Sequence, residues 1–161
     1  PRHAVAITAA TEHFTAIFAG WMLANPVHLD GADPRLKTLW LWHAAEETEH
    51  RSVAFDMYRA LGGNEKWRLF WFRYVTAQFL FETMRQTVLN LWHDKALLSW
   101  STWASCARTM FGHQGLVRFG FKHWKDYFSA DFHPSHQDGA QSEAWLRDNS
   151  DLFSVISRKP A

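Results

Sequence analysis

Apolar residues recur along this chain at helical spacing, and breaker residues divide them into blocks. Residues 4–24, AVAITAATEHFTAIFAGWMLA, form an alanine-rich apolar block that reads as a helix. Residues 25–34, NPVHLDGADP, are dense in Pro, Gly, Asn and Asp and read as a loop. A second long helix follows over residues 35–61, with Gly62 and Gly63 as its stop signal. Asn64 is placed to cap a third helix over residues 65–94. Two further apolar stretches, 96–111 ending at Gly112 and 115–128, precede the turn-rich SADFHPSHQDG; a closing helix near 141–153 then runs into a polar tail. No strand alternation of useful length and no fixed repeat interrupts this order, so the fold class is all-α, a single helical domain over residues 1–161.

The second helix carries an unusual interruption. Within LWLWHAAEETEHRSVAFDM, two histidines and three glutamates fall among the eight positions from His43 to His50. A helix advances about 100° per residue, so positions i, i+3, i+4 and i+7 share a face. Leu36, Leu39, Glu47, His50, Ala54, Met57 and Leu61 all lie within about 40° of His43 on such a wheel. The stripe is apolar at both ends and polar in its middle turns, which predicts that His43, Glu47 and His50 face inward. Glu49 falls on the opposite, solvent side, and Glu46 at the edge of the stripe.

Composition sharpens this picture in one respect. The 161 residues, 47% hydrophobic and 20% charged, suit one domain with its own core. A net charge of +1 gives no electrostatic case for nucleic acid as a partner. Ten histidines raise the prior for a metal site, since imidazole is the commonest metal ligand. The single cysteine, Cys106, excludes an internal disulfide and a cysteine-built zinc site, and suits a reducing cytoplasm. The third helix is strongly aromatic, but Arg68, Arg73, Gln78, Glu82 and Arg85 interrupt it too often for a membrane span of ~20 apolar residues. Its broad aromatic surface is read as buried within the protein, with a partner or membrane-surface contact as the alternative.

A buried carboxylate pairs, hydrogen-bonds or coordinates a metal. Glu47-x-x-His50 is the spacing by which helical bundles aim a carboxylate and an imidazole at one ion. Oxygen and nitrogen ligands suit a divalent metal, iron first, with manganese or zinc as alternatives. His43, one turn earlier, is a further ligand or a hydrogen-bond partner of one. The competing reading is a buried Glu–His pair or a solvated charged face. Glu12 on the first helix is flanked on its face by Thr8, Ala16 and Ala19, small residues that let another helix approach. The adjacent His13 is read as exposed. A dimetal bundle takes one Glu from each of two helices and Glu-x-x-His from each of two more. Glu12, Glu47 and His50 make half of that set, and no second Glu-x-x-His is present. The remainder would come from residues outside this sequence or from a second copy in a homo-oligomer.

Three blocks, ITAATEHFTA, WHAAEETEHRSVAFD and YFSADFHPSHQD, resemble in that order a bacterial family described as predicted metal-dependent hydrolases. The resemblance implies a ferritin-like bundle whose members are longer, with an upstream region holding a further glutamate and a further Glu-x-x-His. It puts Glu12, Glu47 and His50 on the metal-ligand positions, and His43 and Glu46 on motif positions. This chain is then expected to be the C-terminal part of a longer polypeptide, with the N-terminal helices truncated and a C-terminal helical extension. As a hydrolase, it would use an unligated carboxylate such as Glu46 as the catalytic base on a small-molecule substrate. As a di-iron oxidase or oxygenase, it would act on a hydrophobic substrate lined by the aromatic third helix. A third reading is a non-catalytic helical interaction protein.

Two loops have readings of their own. Asp131, His133, His136 and Asp138 form a ligand cluster by composition, but Phe132 and Pro134 favour a loop that packs its aromatic ring on the bundle. Gly112-His113-Gln114-Gly115 reads as an interhelix turn, since it lacks the lysine and strand of a phosphate loop.

Overall fold

The computed structural model describes residues 1–153, and the expected polar tail lies outside them. Seven helices form its body: α1 (Arg2–Ala24), α2 (Pro34–His50), α3 (Val53–Ala60), α4 (Glu65–His93), α5 (Trp100–Phe111), α6 (Leu116–Asp126) and α7 (Ala140–Asp148). Two short 3-10 turns, Pro26–Leu29 and Pro134–His136, complete the described residues, which contain no strand. The all-α reading therefore holds.

α1 is the axis of the fold, packed by α2, α3, α4, α6 and α7. Its sequence explains why, since a helix that is apolar nearly all round must be buried nearly all round. Two sides differ in character. Ala10 and Phe14 join Phe72 and Val75 of α4 and Tyr127 in an aromatic core, where Phe72 and Tyr127 stack at 3.9 Å. Ala9 instead meets Ala54 and Phe55 of α3.

Local signals set most boundaries. Asp33 caps α2 by accepting from the Arg35 N–H at 2.8 Å, with Pro34 in the first turn. Gly62 ends α3 with φ +73°, a conformation open to glycine. A Cβ on Gly63 would fall 2.4 Å from the Tyr58 ring, so the turn needs both glycines. Asn64 caps α4 as expected, accepting from the Trp67 N–H at 3.0 Å. α5 starts at Trp100 and not at 96, because Ser99 caps it by accepting from the Thr102 N–H. α7 stops at Asp148, short of the predicted 153.

Two expectations about the second helix fail. It is not continuous, because Arg51 and Ser52 separate α2 from α3. Its buried face is also different: Leu41, Ala44, Ala45 and Thr48 point inward, about 150° round from His43. Leu36, Leu39, Met57 and Leu61, read as core, are all exposed, as are His43 and His50. Alanines decide the matter. α1 presents Ala9, Ala16 and Ala19, and a helix approaching that surface packs closest through its own small residues.

The aromatic face of α4 is only partly used. Phe72, Val75 and Arg68 are buried, but from Leu80 to Asn90 every residue except Thr87 is exposed. No described helix is long and apolar enough to cross a membrane.

Candidate metal centre

The α2–α3 break falls directly after Glu47-x-x-His50, and it shapes the candidate site. α1 carries Glu12 and Thr15 one turn apart, facing α2 and α3. The Thr15 hydroxyl donates to Glu47 Oε1 at 2.5 Å. The Ala54 N–H, in the first turn of α3, donates to Glu12 Oε2 at 3.3 Å. Ser52 offers α3 no side-chain cap, so a carboxylate from another helix takes one of its free donors. Both carboxylates are thus half-buried and held through one oxygen.

Electrostatics tie three candidates together. Burial pushes the Glu12 carboxyl above the usual carboxylate range, and the Ala54 N–H opposes that push. The charge of Glu47 adds to it, while His50 offsets it. Glu12, Glu47 and His50 therefore occupy one electrostatic neighbourhood, as the sequence spacing requires. His50 and His43 are exposed at its rim, with the His43 ring edge-on to Trp40 at 6.2 Å. Glu46 is half-buried.

The donor types suit a divalent cation, and a second carboxylate that pushes up the pKa of Glu12 is a charge imbalance that a cation relieves. Among the described residues, no three His, Cys, Asp or Glu side chains are gathered closely enough to hold an ion.

The candidate residues sit within a longer match. Residues 1–138 fit the sequence model of the predicted metal-dependent hydrolases. The chain belongs to that family. Neither a curated protein nor a solved structure matches it. The family match takes in every helix except α7, and so all of Glu12, His43, Glu46, Glu47 and His50.

In this member of the family the FHP loop works as a brace. Ser135 donates its N–H to His133 Nδ1 at 3.2 Å, which leaves the proton on Nε2 to be donated to Asp56 Oδ1 at 2.8 Å. Arg51 reaches from the α2–α3 break to the carbonyls of Gln137 and Asp138. Asp138 accepts from the Ala140 N–H at 2.9 Å and so starts α7. Phe132 packs against both parts of the core. The loop therefore ties α3 to the start of α7, with His133 bonded both to the Ser135 backbone N–H and to the Asp56 side chain. Gly112–Gly115 is a turn, anchored by the Trp21 indole donating to the Gln114 carbonyl at 2.8 Å.

Sequence reasoning missed three participants. Thr15 was legible as the i+3 neighbour of Glu12 on the same face. The Ala54 N–H was not, because nothing in HRSVAF marks a helix break. His13, read as exposed, is 2% exposed and enclosed by Phe72, Tyr127 and Phe132. Its Nε2 meets the His123 carbonyl at 3.0 Å, and burial lowers its pKa to about 4, so the ring is neutral.

Proposed function

We propose that this family member is a metal-dependent hydrolase of a small-molecule substrate, with Glu12, Glu47 and His50 as the chain's own metal ligands. The observation that carries the reading is that two half-buried carboxylates and an exposed imidazole share one electrostatic neighbourhood at the α2–α3 break, with Glu12 perturbed by both partners. His43 borders the set as a fourth donor, and Glu46, at its edge, is the general base. The metal is iron, with manganese or zinc as alternatives that the donor set also accommodates. Together these residues make half of a dimetal carboxylate set in a ferritin-like bundle, and a second such half completes it.

A divalent cation held there supplies Lewis acidity toward a carbonyl or phosphoryl oxygen and lowers the pKa of water to ~7. The chain's own groups do the positioning. Thr15 holds Glu47 through one oxygen by donating to Oε1, which would leave the second oxygen for a cation. Ala54 does the same for Glu12 through its N–H. Glu46, without a ligand role, is left to accept a proton from attacking water.

Metal analysis of the full-length protein after reconstitution with iron, manganese and zinc tests the assignment. Stoichiometric uptake is expected, with loss on changing Glu47 to Ala and retention on changing Glu49 to Ala, which faces solvent. Absence of uptake of all three metals overturns it. Turnover with zinc in the absence of oxygen separates hydrolysis from an oxygen-dependent reaction.

A further inference from the structure

The second half of α4 and the start of α5 present the most exposed apolar side chains in the described residues. Trp92 is 69%, Leu98 96% and Trp100 84% exposed, and Trp103 lies one turn further on. Leu80, Phe81, Met84 and Leu89 lead up to this tip along α4. Water-exposed apolar surface on this scale marks an interaction site.

Three features narrow the occupant. First, the tip protrudes, with Leu98 almost wholly in solvent, which fits insertion into a soft phase better than docking onto a rigid protein surface. Secondly, its aromatics are tryptophans, whose amphipathic rings favour the headgroup level of a bilayer. Thirdly, the turns on either side of Leu98 are closed by backbone hydrogen bonds, while the Leu97, Leu98 and Trp100 N–H groups have no backbone partner among the described residues and so suit the hydrated headgroup level better than the bilayer core. The Asp94 N–H donates to Asn90 O at 2.9 Å, the Lys95 N–H to Trp92 O at 3.1 Å and the Ala96 N–H to Leu91 O at 2.8 Å. The Ser99 N–H donates to Ala96 O at 2.9 Å, and the Trp103 indole to Leu97 O at 2.8 Å.

We infer that the tip from Trp92 to Trp103 docks the protein on a phospholipid bilayer surface, with Leu98 and Trp100 entering the interface. The contact is shallow, since no described helix is long and apolar enough to cross. It is also nearly charge-independent. Asp94 and Lys95 offset each other at the tip, and Arg85 is paired with Glu82 at 2.8 Å behind it.

Flotation of the chain with phosphatidylcholine vesicles tests this inference without involving a metal. The chain is expected to float, and to do so equally well when phosphatidylglycerol is added. Leu98→Asp and Trp100→Ser should each lower the partition coefficient by about tenfold or more, since each withdraws a large apolar group from the interface. Val27→Asp, at an exposed apolar site in another region, should leave it unchanged. Circular dichroism should show full helicity for all three, as none of these side chains is buried. Failure to float overturns the proposal, as does flotation that survives both tip substitutions. Loss of self-association with unchanged flotation overturns it too, by making a second copy the occupant.

Discussion

The two sides of α1 solve the same packing problem with opposite materials. Toward α4 and α6 the helix offers Ala10, His13, Phe14 and Ile17, met by Phe72, Tyr127 and Phe132. Toward α2 and α3 it offers Ala9, Ala16 and Ala19, met by Ala44, Ala45, Thr48 and Ala54. Each side also encloses one ionisable residue, and these are sequence neighbours. His13 is sealed among rings and loses its charge, with burial the largest cause. Glu12 lies half-buried beside Glu47 and His50, with its pKa pushed in the direction that a bound cation would reverse. Polarity on the aromatic side is sealed from water, whereas on the alanine side it is half-buried and open at its rim.

The largest effect is expected from charging the aromatic side. Unfolded, His13 binds a proton near its ordinary pKa of 6.5; folded, it does so only at about 4. Its contribution to stability is thus fully present above 6.5 and is lost as pH falls toward 4, by about 3 kcal/mol if the whole shift is realised. The pKa of half-buried His123 is lowered as well and steepens the same loss. Urea midpoints across that window should fall with acid, and the His13 imidazole followed by NMR should stay neutral well below 6.5. A His13 midpoint at the ordinary value would put the ring in water and break the contrast.

Overfilling the alanine side comes next. Ala45 is wholly buried on the inner face of α2. Ala45→Leu inserts three carbons where α1 and α2 meet through small residues, and should cost about 2 kcal/mol by chemical denaturation. A neutral result would mean that the two helices are not closely packed there.

How far the sequence reached follows from where these forces act. Helix ends written in local chemistry were legible: Asn64 as a cap and Gly62 as a stop are both found in place. The nearness of Glu12 to Glu47 and His50 was legible from the small residues that flank Glu12, while their role as ligands is the proposal made above. The break at Arg51–Ser52 was not, since no Gly or Pro marks it and Arg51 is held by the distant Gln137 and Asp138 carbonyls. The inner face of α2 was misread for a related reason. A wheel weighted by side-chain size selects the leucines, but the alanine surface of α1 selects small partners. His13 could be assigned only once the rings of Phe72, Tyr127 and Phe132 were known to enclose it.

A smaller effect of opposite sign is expected at Glu12. A carboxyl whose folded pKa is raised helps folding only below its ordinary value of 4.5, and that help is lost as pH rises. At neutral pH the charged form therefore opposes folding. Glu12→Gln keeps an oxygen for the Ala54 N–H and removes the charge. Stability should rise by less than about 1 kcal/mol, because the side chain is half in solvent and screened. Metal uptake should fall at the same time. A variant that loses stability would make Glu12 a helix cap first and a ligand second.

The smallest effect separates the size-weighted wheel from the packed structure most directly. If Leu39 were core, as its place in the stripe with His43 and Glu47 predicted, Leu39→Ala would cost 2–5 kcal/mol, the usual range of ~2–5 for buried leucines. At 53% exposure it should cost no more than about 0.5 kcal/mol in this 161-residue chain. Leu41→Ala, two residues on and buried, is the internal control and should be several times more damaging. The ratio of the two losses in one denaturation series fixes which side of α2 the chain uses as its core. It also fixes whether Glu47 and His50 border water or lie inside.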